Sequence, residues 1–185
     1  MTRTLALATL ATLATLATAA TLLTGCSSTP STPVVNTPTP AQRANLFDQV
    51  KVLDGTWTMK NEKGVDEVAA VYKVSSNGSV VREIMFPGAE HEMTNIYHMD
   101  GPTMVMTHYC AIGNQPRLRA TAPDKPGKID FKLDSVTNIT SPEQSYMGEM
   151  TLTIKDNNHI VQEWRSLEKG KVIGEHAVFE LTRKP

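Results

Sequence analysis

The sequence predicts an all-β fold, an antiparallel up-and-down β-barrel of about ten strands with a short N-terminal helix. Three observations lead there. From Gly55 onward, apolar side chains recur at every second position, which is the period of a strand. Turn-forming residues interrupt that pattern at intervals of roughly eight to twelve residues, the rhythm of consecutive hairpins. No later segment carries a helical period that would cover a sheet, so closure is the simplest way to remove exposed edges. A two-sheet sandwich is the alternative arrangement.

The elements follow in chain order. In AQRANLFDQVKVL (41–53), Leu46, Phe47, Val50 and Leu53 are spaced for one face of a short amphipathic helix. GTWTMKN (55–61) turns through Glu62-Lys63-Gly64 into VDEVAAVYKV (65–74), and Ser76-Asn77-Gly78 leads to SVVREIMF (79–86). Pro87-Gly88 stops that strand before HEMTNIYHM (91–99), which Asp100-Gly101 joins to TMVMTHYCA (103–111). Gly113-Asn114-Gln115-Pro116 precedes RLRATA (117–122), and a turn at 123–127 precedes KIDFKLDSV (128–136). A polar loop at 137–144 then leads to SYMGEMTLTIK (145–155), HIVQEWRSL (159–167) and KVIGEHAVFELTR (171–183). In KIDFKLDSV, Ile129, Phe131 and Leu133 alternate with Lys128, Asp130, Lys132 and Asp134, so one face is dry and the other wet. The last strand repeats this, setting Ile173, Ala177, Phe179 and Leu181 against Gly174, His176, Val178 and Glu180.

Three regions divide the chain. Residues 1–25 carry one basic residue, Arg3, and a long Ala/Leu/Thr run, the layout of an export signal rather than a structural helix. The run ends in Leu23-Thr24-Gly25-Cys26, which resembles a bacterial lipobox. That resemblance implies cleavage before Cys26 and acylation of its sulfur and new amino group, a durable bilayer anchor. Ser27 after the lipidated cysteine resembles the outer-membrane sorting pattern, facing the periplasm if the organism has two membranes. Residues 26–40 form a Ser/Thr/Pro-rich tether, which cannot bury a core. Residues 41–185 are one domain, expected at the cell envelope.

Charge and cysteine content narrow the function. The chain has 18 basic and 19 acidic residues, a formal charge of −1. Such a balance offers no basic stripe for nucleic acid. Of the two cysteines, Cys26 is expected to carry lipid, which leaves Cys110 without a partner for an internal disulfide.

The segment MVMTHYCAIG (104–113) is the most chemically loaded. Met104, Met106, His108 and Cys110 share one face of a strand, and a turn at Asp100-Gly101 sets the facing strand. A two-residue loop there pairs Met99 with Pro102, Tyr97 with Met104, Asn95 with Met106, Met93 with His108 and His91 with Cys110. The face holding His91, Met93, Asn95, Tyr97, Met104, Met106, His108 and Cys110 is the less polar, so it is placed inside. Three readings stand side by side. Met and free Cys pack readily as core. The same residues suit a pocket for a small apolar or amphipathic ligand. Thioether, thiol and imidazole also suit a soft metal such as copper, with His108, Cys110, Met106 and His91 as ligands. No cofactor is required by any motif.

An enzyme is the less expected reading. The chain has no nucleophile elbow, zinc-protease helix, phosphate loop or dinucleotide fingerprint. A Cys–His pair would need an orienting third group, and Glu83, Glu149 and Glu175 are the carboxylates that could face inward. Arg117 and Arg119, after the Gly113–Pro116 turn, are either solvated or placed at the barrel mouth to meet an anion.

Leu53-Asp54-Gly55-Thr56-Trp57 resembles the Gly-x-Trp signature of the calycin superfamily, the lipocalins, fatty-acid-binding proteins and bacterial relatives. The resemblance implies a closed barrel with Trp57 at its base and Arg183 of FELTRKP packed across the ring. The chain also shows a narrower similarity to the haem-binding nitrobindin barrel, which implies His176 as the haem ligand. Two departures stand against it: Trp57 is followed by Thr58-Met59-Lys60 rather than a further Gly, and His176 falls on the polar phase of its strand. The function expected is therefore a lipid-anchored envelope barrel that binds a small molecule or serves as a structural module, with haem or copper binding as the alternative.

Overall fold

In the computed structural model, which describes residues 37–123 and 126–185, the chain forms a closed ten-stranded antiparallel barrel. Residues 1–25, Cys26 and the tether up to residue 36 lie outside the described residues. The strands are β1 Gly55–Lys60, β2 Asp66–Ser75, β3 Val80–Met85, β4 Met93–Asp100 and β5 Thr103–Tyr109. They continue as β6 Gln115–Ala120, β7 Lys128–Thr137, β8 Tyr146–Ile154, β9 His159–Glu168 and β10 Lys171–Arg183. Every strand pairs with its neighbours in sequence, and β1 meets β10 to close the ring. The alternation of apolar and polar residues is thereby converted into a filled interior and a solvated wall.

The expected single helix is two, α1 Pro40–Asn45 and α2 Phe47–Lys51. Thr39 caps α1 in a reciprocal capping box with Gln42, and Pro40 takes the first turn, where no N–H partner is lost. The chain breaks at Leu46 (φ −129, ψ −79), which lets Leu46, Phe47, Val50 and Leu53 all turn inward. They plug the base of the barrel.

Trp57 is the keystone of that base. It is fully buried, and its indole N–H donates to the Leu53 carbonyl at 2.8 Å. The Arg183 guanidinium lies 4.4 Å from the ring centroid. It also donates to the carbonyls of Val52 (2.7 Å), Asp54 (2.7 Å) and Asn157 (2.8 Å), tying helix end, first strand and a distant turn together. Such a planar fork cannot be reproduced by lysine.

Two registers differ from expectation. The β4–β5 loop is Gly101-Pro102, with Asp100 opposite Thr103, so Met99 faces Met104, Tyr97 faces Met106 and Asn95 faces His108. Pro102 has no N–H to give a ladder, whereas its fixed φ suits the turn beside Gly101 at φ +60. The shift is two residues, so every side chain keeps its face. In β10 the register breaks between Ile173 and Ala177 around Gly174 (φ +65), and Ile173 is exposed instead of inward.

Closure is thin. β1 and β10 pair at Trp57↔Arg183 and Thr58↔Thr182, with one further bond from the Lys184 N–H to the Thr56 carbonyl at 2.8 Å. Beyond Thr58 the two strands part and leave a cleft of about 560 Å³.

Candidate functional site

Midway up the barrel, the inward positions of adjacent strands place polar groups in one row. Tyr72 on β2 lies opposite Glu83 on β3, Glu83 opposite Asn95 on β4, and Asn95 opposite His108 on β5. Glu83, Asn95 and His108 are at most 1% exposed, so solvent does not reach them. Gln162 and Trp164, inward on β9, reach across the interior to meet this row.

The bonds within the row fix one another. Glu83 accepts from Asn95 Nδ2 at 2.7 Å and from the Tyr97 hydroxyl at 2.6 Å on Oε2, and from Gln162 Nε2 at 2.5 Å on Oε1. Gln162 Nε2 also donates to the Tyr72 hydroxyl, and its Oε1 accepts from the Trp164 indole at 3.0 Å. Three donors around one buried carboxyl group are what a charge in low dielectric needs. Burial first, and the Glu83 charge second, hold the Tyr72 and Tyr97 phenols well above their ordinary range.

Those bonds set the tautomer of His108. Asn95 turns its NH₂ to Glu83, so its Oδ1 faces His108 Nδ1 at 2.7 Å and accepts from it. The proton therefore sits on Nδ1, and Nε2 presents a bare lone pair. That Nε2 is buried and has no partner among the described residues. Burial lowers the His108 pKa to about 4, so the ring is neutral at physiological pH. Its face tilts against Trp164, with ring centroids 4.9 Å apart.

The inward residues of the next level up are sulfur-rich. Met85 pairs with Met93, and its sulfur takes a second Asn95 N–H at 3.3 Å. Cys110 follows the end of β5, half-buried and free, and bonds through its N–H to the Asn114 carbonyl across the turn. Asn114 is fully buried; its NH₂ donates to the Ser145 carbonyl, and its Oδ1 has no partner among the described residues. Above these, Phe86 stacks edge-on to Phe179 (5.4 Å) and lies 5.0 Å from the His91 ring.

The sequence-predicted residues thus separate. Asn95, Tyr97, Met104, Met106 and His108 are fully buried in the interior, and Met93 and Cys110 are half-buried nearer the rim. His91 is exposed in the β3–β4 turn, outside any strand and away from the pairing with Cys110 given by the two-residue shift. His176 is exposed on the stretch of β10 that has left β1. Arg117 and Arg119 are not free for an anion at the mouth. Both pair with Asp100 and Asp134 on the outer wall, at 2.9 to 3.5 Å. Glu149 is likewise on the wall, paired with Lys132 and Arg165, and Glu175 is exposed. Asn95 supplies the orienting group that a Cys–His nucleophile needs, yet no hydrogen bond joins His108 Nε2 to Cys110.

Sequence reasoning missed Tyr72 and Gln162 as partners of this row. The available signal was a polar residue on an apolar phase: Gln162 between Ile160 and Trp164, and Glu83 between Val81 and Met85.

The cleft between β1 and β10 is the second feature. Thr58, Met59 and Lys60 line one side, Val178, Phe179, Glu180 and Thr182 the other, with Asp66 at the rim bonded to Lys60 at 2.8 Å. Phe179 belongs both to this cleft and to the stack with Phe86.

No protein-family model matches the chain, and no curated protein matches it in sequence. Among solved structures it is similar to the crystal structure of Rv2717c from M. tuberculosis, with a TM-score of 0.53 and 14% identity. The match covers 80% of this chain and 100% of that one, a likeness of fold alone.

Proposed function

We propose that this chain is a lipid-anchored envelope protein of calycin type whose barrel binds a small amphipathic molecule at the β1–β10 seam. The observation that carries the reading is the cleft of about 560 Å³ where the closing ladder stops after two pairs. That volume lies in the usual range of ligand sites. Its wall offers the apolar Met59, Val178 and Phe179 beside the charged Lys60 and Glu180, which suits a molecule with one greasy and one polar end. The interior below is already packed with Trp57, Tyr97, Phe131 and Trp164, which supports a ligand at the seam rather than in a central well.

The calycin assignment is supported by Arg183 over Trp57 at the base. The anchor is supported by Leu23-Thr24-Gly25-Cys26 and by the tether that follows. Acyl chains on Cys26 would hold the domain at a bilayer surface, where amphipathic molecules are concentrated. Labelled palmitate should be incorporated by the wild type and not by Cys26→Ser.

The seam is tested by titrating full-length protein with an environment-sensitive fluorescent fatty acid. Saturable binding at one site per chain is expected, weakened at least tenfold by Val178→Trp, which fills the cleft. Equal binding by both proteins, or none by the wild type, refutes the seam as the binding site.

A further inference from the structure

The seam leaves unexplained the two buried acceptors at the other side of the barrel, His108 Nε2 and Asn114 Oδ1, which lack any partner among the described residues. A buried acceptor without a donor costs about 1–3 kcal/mol, and the two residues that carry these atoms are both neighbours of Cys110 along the β5 hairpin. Cys110 follows His108 by two positions on one strand face, and Asn114 is bonded to Cys110 backbone-to-backbone across the turn. Met93 stands one position before Thr94, whose partner is Tyr109, so the ladder continued by one step brings Met93 opposite Cys110. Met85 in turn pairs with Met93. Directly opposed inward side chains lie about 5 Å apart at Cβ, close enough to share an ion.

We infer that His108 Nε2, Cys110 Sγ and Met93 Sδ form a binding site for monovalent copper, with Asn114 Oδ1 and Met85 at its edge. The donor chemistry selects the ion. Among the described residues no three of His, Cys, Asp and Glu come together, so a zinc or calcium cage has no ligand set. The gathered donors are a thiol, thioethers and a neutral imidazole, the preferred set for Cu(I). The Glu83–Asn95–His108 chain supplies what such a site needs behind it: a carboxylate, relayed through an amide, holds the proton on Nδ1 and leaves the Nε2 lone pair free for the metal. Binding displaces the thiol proton of Cys110 to solvent, and the copper keeps its oxidation state. Met106, two positions below His108 and fully buried, is not part of this set.

The test is anaerobic titration of the full-length protein, in detergent, with Cu(I) held by the competing chelator bicinchoninate. One copper per chain is expected, drawn from the chelator. Cys110→Ser and Met93→Leu keep side-chain volume, and their urea midpoints report folding independently. Each should weaken binding at least tenfold, and the double variant at least a hundredfold, while Met147→Leu on β8 leaves it unchanged. X-ray absorption of the wild-type complex should show sulfur together with imidazole scattering. Failure of the wild type to take copper, equal affinity in Cys110→Ser and Met93→Leu, or a complex without imidazole overturns the assignment. Retention from the host of an organic molecule that Asn114→Leu loses, with no copper bound, overturns it too. None of these results depends on the fluorescent fatty acid, so this site and the seam stand or fall separately.

Discussion

Acid should weaken this protein through His108. Burial holds the folded-state pKa at about 4, against roughly 6.5 in an unfolded chain. As pH falls below about 6.5, the unfolded state takes up this proton and the folded state does not, so stability declines with pH. The loss continues until the folded pKa near 4 is passed. A gap of about 2.5 units, at about 1.36 kcal/mol each, amounts to roughly 3 kcal/mol from one side chain. The structural cause is plain: Nδ1 already donates to Asn95, and a second proton on Nε2 would find no acceptor. Urea unfolding between pH 7 and pH 4, followed by tryptophan fluorescence, measures the loss. His108→Gln can keep the donor to Asn95 and does not titrate, so it isolates the histidine from the carboxylates. The wild type should lose about 3 kcal/mol more than the variant over that range. Parallel losses in the two proteins, or a His108 ring titrating near 6.5 by NMR, would refute the reasoning.

Three further outcomes follow from the same geometry. Tyr97→Phe removes a hydroxyl that donates to the buried Glu83 at 2.6 Å, and should cost about 2 kcal/mol in urea unfolding with an unchanged m-value. Arg183→Lys loses the fork onto the Val52, Asp54 and Asn157 carbonyls and the stack on Trp57. A drop of about 2 kcal/mol, read by thermal unfolding, is expected, with red-shifted Trp57 emission as the base loosens. In base, Tyr72 and Tyr97 are held as neutral phenols, so their contribution is present below about pH 10 and lost as pH rises through their raised pKa values. Ultraviolet titration should therefore find two of the four tyrosines silent until the barrel unfolds.

Much of the fold was legible because a strand's period of two leaves a direct mark on sequence. KIDFKLDSV shows it plainly: Ile129 and Phe131 are fully buried, and Lys128, Asp130 and Lys132 are exposed. The β4–β5 register was less legible, since Asp100-Gly101 is a strong turn signal that competes with the disability of Pro102 in a ladder. Parity survived the slip, which is why Asn95, Tyr97, Met106 and His108 were assigned to the correct face. What sequence could not show is which inward residues meet across the interior. Gln162 and Glu83 bond although 79 positions apart, and nothing local to either marks the other as its partner. His91 was placed wrongly for a local reason: the Phe86–Glu92 turn, pinned by Gly88 N–H on the Glu92 carboxylate at 2.6 Å, ends β3 early and delays β4.

The two-rung junction between β1 and β10 also dictates an order of assembly. Every other ladder joins consecutive strands and can zip as soon as its hairpin exists. The ring alone must wait for Thr182 and Arg183, since Arg183 reaches an Asp54 carbonyl 129 positions upstream. A chain cut just before Thr182 would therefore leave an unrolled ten-stranded sheet with two bare margins, the form of this molecule most prone to stick to itself.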